Sequence, residues 1–401
     1  MIQPNIRKMV CLLLLGLFIL APLSLGVKNR AKGQGIRSLV PKQEIIVNSP
    51  VIISGNDDFE IQGWPGAGTE EDPYVIADLN IRGASECIVV ENTDVYFVVR
   101  NCSVEANNID DAVGILLTGV KNVIVDGCSA SDAEWGIRLK NCSNCEVVNC
   151  RVYNNNIGVV FQGVFNSTLH DTATHGCNFG VAAQETENCE FQSNRIFGNK
   201  VVGISLGEST NRCIVFGNSI GWNDAWSVSD DAHDNGHENQ WNESTQGNEW
   251  HAYNDTETYS IAGNASSVDY YPTLLVDTDP PQVNSPDDIS FEHGVVGFAV
   301  NWSFSDEYPR LIEIITDNTT VRTIDWHEDS VSYSVDHLSH GVHNCTIRLT
   351  DWGGNQVSDT VRVIVMYSIF GGLGTPYVLI SSILSVVAVA AVIVIMIKTR
   401  G

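Results

Sequence analysis

Glycine recurs at a fixed spacing through the middle of this chain, and that repeat limits the folds available to it. Gly114, Gly136, Gly158 and Gly180 follow one another every 22 residues, and Gly203 comes 23 residues later. A unit this short cannot bury an apolar face by itself, so its stability must come from stacking one unit on the next. The repeat therefore predicts a solenoid.

Each unit holds short β-prone runs separated by Asn, Gly and Asp, and apolar residues alternate within a run. Ile137 and Leu139 are expected on one face of a strand and Arg138 on the other, because successive side chains of a strand point to opposite sides. This pattern predicts an all-β fold, a parallel β-helix with coils of about 22 residues. A leucine-rich repeat has a similar period, but it needs Leu where Val, Ile, Asn and Gly dominate here.

Equivalent residues of stacked coils lie about 4.8 Å apart, so several columns of side chains are expected. The predicted apolar column consists of Ile115, Ile137, Val159, Val181 and Ile204. The predicted structural ladder, whose amides would bond from coil to coil inside a bend, consists of Asn122, Asn144, Asn166, Asn188 and Asn211.

Cysteines fill two further repeat positions. One position carries Cys102, Cys128 and Cys150, and the other carries Cys145, Ser167, Cys189 and Cys213. Neighbouring coils bring such residues within disulfide range, so Cys102–Cys128 or Cys128–Cys150 pairing is one alternative and a stack of free thiols is the other. Cys142 and Cys145 have CxxC spacing, but no second pair with partner histidines accompanies them, so a structural role is expected.

Motifs on either side of the repeats resemble those of the NosD-like, or CASH-type, right-handed parallel β-helix proteins of archaeal surfaces. They are GAGTEEDPYVI at 66–76, DNG at 234–236, NQW at 239–241, GNEW at 247–250 and DYYP at 269–272. The resemblance implies a right-handed helix, and we assign residues 44–275 to it. Known members of this fold include lyases, hydrolases, binding proteins and accessory factors, so the fold does not specify a chemistry.

Prolines at 280, 281 and 286 mark a linker after the repeats, and six or seven alternating runs follow as far as residue 366. Their spacing predicts an immunoglobulin-like β-sandwich over residues 279–367. The TDWGGN sequence at 350–355 resembles the hairpin before the last strand of bacterial and archaeal immunoglobulin-like modules. Such a domain is expected to act as a stalk.

Both ends of the chain have the composition of targeting segments. Residues 1–26 read as a signal peptide, with Arg7 and Lys8 before an apolar run. Basic residues at 28, 30 and 32 leave an uncleaved N-terminal anchor as the alternative. Residues 377–397 carry no charge and are long enough for one transmembrane helix. Residues 398–401, with Lys398 and Arg400, would be a cytoplasmic tail. We therefore expect a single-pass protein of the cell membrane with an extracellular ectodomain.

The charge of the chain is strongly negative, and the acids lie between its two ends. The formal net charge is −26, and no Asp or Glu precedes Glu44 or follows Asp359. Such a field repels nucleic acid and favours cations and neutral or basic partners. Nucleic acid is therefore excluded as a partner.

The segment from Ser227 to Glu238 is the best candidate site in the sequence, because it combines carboxylates with histidines. Asp230, Asp231 and Asp234 are the weak candidates for acid/base hydrolysis, and the same three could hold Ca²⁺. The alternative is structural, because the segment coincides with the closing motif of the resemblance, where Asp, Asn and Gly form turns.

Aromatic faces on a β-surface suit sugar rings, and the candidate ligand-binding residues are Trp135, Trp222, Trp226 and Trp241. Capping of the apolar end of the stack is the alternative role for such residues. Nine Asn-x-Ser/Thr sequons are candidate glycosylation sites, namely Asn101, Asn141, Asn166, Asn242, Asn254, Asn264, Asn301, Asn318 and Asn344.

Together these features predict a surface protein that binds a polysaccharide or a cell-surface protein without catalysis, with no cofactor beyond Ca²⁺. The alternative is a hydrolase or lyase acting on extracellular polysaccharide. A third hypothesis, a copper accessory factor, follows from the NosD resemblance. It is the least favoured, because four Met and scattered His form no soft-ligand cluster.

Overall fold

The structure, a computed structural model, describes residues 49–106, 111–223 and 231–367. A short α-helix, Asn56–Ile61, lies near the start, and the coils after it build three parallel sheets, to which every coil except the last ones adds one strand each. Sheet A contains Val51–Ile53, Glu86–Glu91, Val113–Thr118, Trp135–Lys140, Ile157–Gln162, Phe179–Gln184, Val202–Leu206 and Ala232–Asp234. Sheet B contains Tyr74–Ala77, Phe97–Arg100, Val123–Asp126, Glu146–Val148, Thr168–His170, Glu190–Gln192 and Ile214–Phe216. Sheet C contains Asn80–Ala84, Ser103–Ala106, Ser129–Ser131, Arg151–Tyr153, Ala173–His175, Arg195–Phe197, Ser219–Gly221, Glu249–Trp250 and Thr273–Leu274.

The predicted apolar column is confirmed. Ile115 pairs with Ile137, which pairs in turn with Val159, and the register continues to Val181 and Ile204. All five side chains are fully buried. The chain is therefore a parallel β-helix in the register that the glycine spacing predicts.

The glycine column has a steric cause. A Cβ on Gly114 would lie 2.5 Å from the carbonyl oxygen of Gly136, and a Cβ on Gly158 would lie 2.5 Å from that of Gly180. Non-bonded carbon and oxygen atoms do not approach so closely. The close stacking of coils at this position therefore requires glycine, which explains why the repeat can be read from this residue.

The residues predicted to form a buried Asn ladder do not form one. Asn122, Asn144, Asn166 and Asn188 do form one column, but they are turn residues with left-handed backbone, φ 49° to 58°, and their side chains reach the surface. The fifth coil has one extra residue, so Arg212 takes the left-handed position and Asn211 pairs with Glu187. Asn tolerates a positive φ better than most residues, and that tolerance accounts for the column.

The buried amide ladders lie at two other bends. In the longer one, the Nδ2 of Asn194 donates to Oδ1 of Asn218 at 2.9 Å, and Asn218 donates to Asn248 at 2.8 Å. In the shorter one, Asn199 donates to Asn223 at 2.9 Å. All five side chains are buried. These ladders satisfy polar groups that the coils enclose.

The ten cysteines within the described residues are buried, and each is a free thiol. Their sulfurs lie near backbone carbonyls, as where Cys142 donates to Leu117 at 3.3 Å. Burial raises the pKa of Cys177 to about 12, so this thiol stays protonated and unreactive. Of the two alternatives for the cysteine columns, disulfides or a stack of free thiols, the structure has the free thiols.

The chain after the coils forms further small sheets. Tyr259–Ser260 pairs with Val268–Asp269. A three-stranded sheet contains Gln282–Val283, Ala299–Ser305 and Ser330–Ser334. A five-stranded sheet contains Ile289–Glu292, Pro309–Thr316, Thr319–Asp325, Gly341–Asp351 and Gln356–Met366. A separate core that includes Trp302, Trp326 and Ile347 lies in this region, which we call the C-terminal β-domain (residues 282–366).

The predicted signal peptide (1–26), transmembrane helix (377–397) and tail (398–401) lie outside the described residues. None of the helices in the described part of the chain is long and apolar enough to span a membrane.

Candidate functional site

The acidic segment lies at the last coil of the β-helix, and the structure gives two of its carboxylates structural partners. Asp234 is fully buried. Its Oδ1 accepts hydrogen bonds from the backbone N of Gly236 at 2.8 Å and from Nδ2 of Asn239 at 3.0 Å. Its Oδ2 accepts from Nε1 of Trp241 at 2.9 Å and from the hydroxyl of Ser267 at 2.7 Å. Four donors therefore occupy this carboxylate.

Asp231 is also buried, and it ends the shorter amide ladder. Its Oδ1 accepts from Nδ2 of Asn223 at 3.0 Å. Asp269 ends the longer ladder in the same manner, accepting from Asn248 and from Nε1 of Trp250 at 2.9 Å. Asp230 lies outside the described residues.

A common rule connects these three acids. An amide ladder runs in one direction, so its last NH₂ group needs an acceptor that donates nothing, and an ionised carboxylate is such a group. Asp231 and Asp269 supply that acceptor at the closing ends of the two ladders, and Asp234 accepts in a similar way from the single amide of Asn239. Asp269 is not among the candidate site residues that the sequence suggests, although it lies in the DYYP motif. In the acidic segment, Asp231 and Asp234 therefore have a structural role, as acceptors for buried N–H groups at the last coil.

The candidate tryptophans divide by burial. Trp241 is fully buried and lies 6.0 Å from Trp250, centroid to centroid, so its face is closed to a sugar ring. Trp222 is half-buried and packs on Tyr308 of the C-terminal β-domain. Trp135 is half-buried on the outer face of sheet A, under the guanidinium of Arg138 at 4.2 Å. Trp226 lies outside the described residues.

A polar cleft of about 590 Å³ opens beside the acid-capped end of the helix. We call it the closing cleft, and its described lining is residues 235–242, 264–268 and 270. Asn235, Gln240 and Asn242 supply amides, and Tyr270, which is 61% exposed, supplies an aromatic face. Glu238 is the one carboxylate among these described lining residues.

The chemistry available in the closing cleft is hydrogen bonding combined with aromatic contact. Amides both donate and accept, which suits the hydroxyls of a neutral sugar. Glycoside hydrolysis normally needs two carboxyl groups on either side of the scissile bond. The described lining brings only Glu238 to the cleft. Asp231 and Asp234 are buried and hold other side chains, Asn223 in the first case and Asn239 and Trp241 in the second.

A second group of acids lies away from the closing cleft, and the sequence did not identify it. Asp277, Asp306 and Asp351 each place one carboxylate oxygen within 4.8 Å of the others. Burial, together with the neighbouring carboxylates, raises the pKa of Asp306 to about 6. Within the described residues this is the sole group of three or more His, Cys, Asp or Glu with metal-binding geometry.

Eight of the nine sequon asparagines are exposed and Asn242 is half-buried. Asn101, Asn141 and Asn166 are turn residues with left-handed backbone, which places their side chains on the outside of the coil. Asn242 and Asn264 line the closing cleft.

The stacked coils and the acid-capped closing end define a class, the right-handed parallel β-helix proteins. Within that class, the family described as periplasmic copper-binding protein (NosD) matches residues 34–255. The match covers more than half of the 401 residues, and the chain belongs to the NosD family. A comparison with curated proteins gives no match.

Several solved structures are similar to this chain at low sequence identity and low TM-score. An alginate lyase from Paenibacillus is 11% identical with a TM-score of 0.36, over 56% of this chain and 99% of that one. The enzymatically active domain of tailspike protein 2 from bacteriophage CBA120 is 8% identical with a TM-score of 0.32, over 72% and 57%. The A-module of a mannuronan C-5 epimerase from Azotobacter vinelandii is 12% identical with a TM-score of 0.20, over 51% and 71%.

Proposed function

We propose that this protein is a surface receptor or adhesin whose β-helix binds a neutral glycan in the closing cleft without cleaving it. The observation that carries the proposal is the composition of the cleft, where amides and the exposed ring of Tyr270 accompany one carboxylate, Glu238, among the described lining residues. Amide groups pair with sugar hydroxyls, and an aromatic face packs on the apolar side of a sugar ring.

The charge of the protein supports a neutral ligand. With a net charge of −26, the surface repels uronic-acid polymers and other polyanions. A neutral polysaccharide meets no such barrier.

The rest of the chain fits display outside a membrane. The proposal assigns residues 377–397 as the single membrane span, residues 1–26 as a signal peptide and residues 279–367 as an immunoglobulin-like stalk. Exposed sequons suit a glycosylated ectodomain, although two of them border the cleft, where an attached glycan would restrict access.

Hydrolysis and copper delivery are less well supported. The predicted catalytic acids Asp231 and Asp234 are buried. Asp231 accepts from Asn223, and Asp234 accepts from Asn239 and Trp241. Copper in proteins favours sulfur and imidazole donors, and the described residues bring no three Cys or His side chains together in metal-binding geometry. The copper named in the family description therefore finds no fitting donor set in the described part of this chain.

A pair of adjacent tyrosines provides the test. Tyr270 lines the closing cleft, and Tyr271 is also exposed, at 46%, but lies outside the lining. On an array of neutral and acidic glycans, the full-length protein should bind neutral glycans, and Tyr270→Ala should reduce that binding at least about tenfold, a loss of about 1.4 kcal/mol. Tyr271→Ala should bind like the wild type. Binding to acidic glycans alone, or equal effects of the two variants, would contradict the proposal, and binding to a protein ligand alone would replace the glycan with that partner.

A further inference from the structure

Three segments that are distant in the sequence meet at the carboxylates of Asp277, Asp306 and Asp351. Asp277 follows the last strand of sheet C, Asp306 lies between two strands of the C-terminal β-domain, and Asp351 ends the strand Gly341–Asp351. One oxygen from each lies within 4.8 Å of the other two. Separations of this size match oxygens that share one cation, since Ca²⁺–O distances of about 2.3–2.6 Å allow them.

Each of these carboxylates uses one oxygen to hold its own loop. The Oδ1 atoms accept backbone N–H groups two to four residues ahead: Asp277 from Asp279 at 3.2 Å, Asp306 from Tyr308 at 2.7 Å, and Asp351 from Asn355 at 2.7 Å. These bonds fix the orientation of the carboxylates before any ligand arrives.

The remaining oxygens include two that are buried and lack a partner. Oδ2 of Asp277 and Oδ2 of Asp351 accept no hydrogen bond, and Asp351 is fully buried. None of the ion pairs between described residues involves any of the three acids. A carboxylate oxygen that is buried without a partner is costly, and the three neighbouring carboxylates, of which Asp277 and Asp306 are partly exposed, repel one another. A cation at their centre would remove both costs.

We propose that Asp277, Asp306 and Asp351 bind one Ca²⁺ ion. The donors are all hard carboxylate oxygens, which suit Ca²⁺ and exclude soft metals. Ca²⁺ takes six to eight oxygens and tolerates irregular geometry, so water completes the shell. Mg²⁺ has the same preference for oxygen but requires a regular octahedron, and it is the competing ion in the test.

The position of the site gives the ion a structural task. A small apolar cluster joins the β-helix to the C-terminal β-domain, and it contains Ala173, Phe197, Leu275 and Tyr308, with Trp222 and Trp352 packed against it. Leu275 and Tyr308 lie two residues from Asp277 and Asp306, and Trp352 follows Asp351 directly. Binding of Ca²⁺ therefore orders the residues that hold the two parts together.

The test uses the full-length protein in detergent, freed of metal with a chelator. Addition of Ca²⁺ should raise the melting temperature, with one ion bound and a Kd of about 0.1–1 mM, the range of extracellular modules. Mg²⁺ at the same concentration should give a smaller shift. Tb³⁺ should show luminescence sensitised by the neighbouring Trp352, and Ca²⁺ should displace it.

Charge-neutral variants distinguish a metal site from acids with a purely structural role. Asp351→Asn keeps the acceptor for Asn355 and removes one of three repelling charges, so it should melt at or above the temperature of the metal-free wild type while losing the Ca²⁺ response. Asp306→Asn should behave in the same way and serves as the second variant if the first does not fold. Asp329→Asn is the matched control, because Asp329 pairs with Arg151 of the β-helix at 2.8 Å but lies outside the group. It should keep the full response.

Two results would overturn the proposal. One is a metal-free wild type that shows no Ca²⁺-dependent melt and no Tb³⁺ luminescence. The other is a response that survives both Asp306→Asn and Asp351→Asn but disappears when Asp230, Asp231 and Asp234 are changed to Asn, because the ion would then lie at the acidic segment. Either result leaves glycan binding at the closing cleft unaffected.

Discussion

Trp241 donates its indole N–H to Oδ2 of Asp234 at 2.9 Å, and neither side chain is exposed to solvent. This contact joins an aromatic residue that the sequence suggested for sugar binding to an acid that it suggested for catalysis or Ca²⁺. Both residues instead close the β-helix. An Asp that only shapes a turn could be replaced by Asn at little cost, but the four donors around Asp234 change that expectation.

Asp234→Asn should destabilise the protein. The amide can accept through one atom only, so its NH₂ group would face either Trp241 or the donors on the other side. A buried donor left unpaired costs about 1–3 kcal/mol, which chemical denaturation would measure as a lower free energy of unfolding. Asp255→Asn is the control, because Asp255 is an exposed turn residue with φ 64° that Asn tolerates. Equal stability of the two variants would show that the four donors around Asp234 do not need its carboxylate.

Ile137→Asp should destabilise the coil stack by about 4 kcal/mol, because it places a charge in a dry apolar column. Ile137→Val should cost only about 1 kcal/mol. Ile124→Asp is the matched control, because Ile124 lies in a strand of the same helix but is 39% exposed. A normal melt for Ile137→Asp would contradict the register of the helix.

His175 should make stability depend on pH. It is stacked between Tyr153 and Phe197, with ring centroids 5.6 Å and 5.0 Å away, and burial lowers its pKa well below the usual 6.5. Above pH 6.5 the ring is neutral in both the folded and the unfolded chain. As the pH falls below 6.5, the unfolded chain takes up a proton that the buried ring cannot, so this contribution to stability is lost.

His175→Phe keeps the aromatic stack and removes the titration. Denaturation of the variant should therefore show less loss of stability between about pH 6.5 and 4.5 than the wild type. The variant must be compared with the wild type at each pH, because other histidines also titrate in this range. The hydrogen bond with Asp317 raises the pKa of His343, so His343 stabilises the folded protein as the pH falls. Parallel pH curves for the two proteins would mean that His175 is not buried as a neutral ring.

The β-helix could be predicted because its information is local and repeated. The column of Ile115, Ile137 and Val159 recurs at one spacing, and each coil repeats the same signal. The ladders could not be predicted so simply. The repeat position of the longer ladder carries Cys102, Cys128, Cys150 and Thr172 in the earlier coils, and Asn appears there only from Asn194 onward. The column therefore has no constant residue, whereas the column of turn Asn residues does.

The group of three aspartates could not be predicted from the sequence for a different reason. Asp277, Asp306 and Asp351 belong to three loops, and only the packing of the C-terminal β-domain brings them within 4.8 Å of one another. Neither the spacing nor the periodicity of the sequence predicts that these three residues lie close together. The TDWGGN sequence resembles a hairpin, and its Asp351 has no local feature that indicates a second role.

The membrane proposal has a topological test. Truncation of the chain before Tyr377 should release the ectodomain into the medium, because residues 377–397 are the proposed span. Immunoblotting of medium and membrane fractions would measure the distribution. Retention of the truncated protein in the membrane would instead indicate that the N-terminal segment is an uncleaved anchor.

The central claim is that the protein binds a glycan without cleaving it, and the most direct test is to analyse one oligosaccharide before and after incubation with the protein. The full-length protein should be incubated with a neutral oligosaccharide that the array identifies, and bound and free sugar should then be analysed by mass spectrometry and by a reducing-end assay. We expect saturable binding and recovery of the oligosaccharide at its original length, without new reducing ends. Shorter products, or unsaturated ends of the kind that lyases leave, would contradict the account.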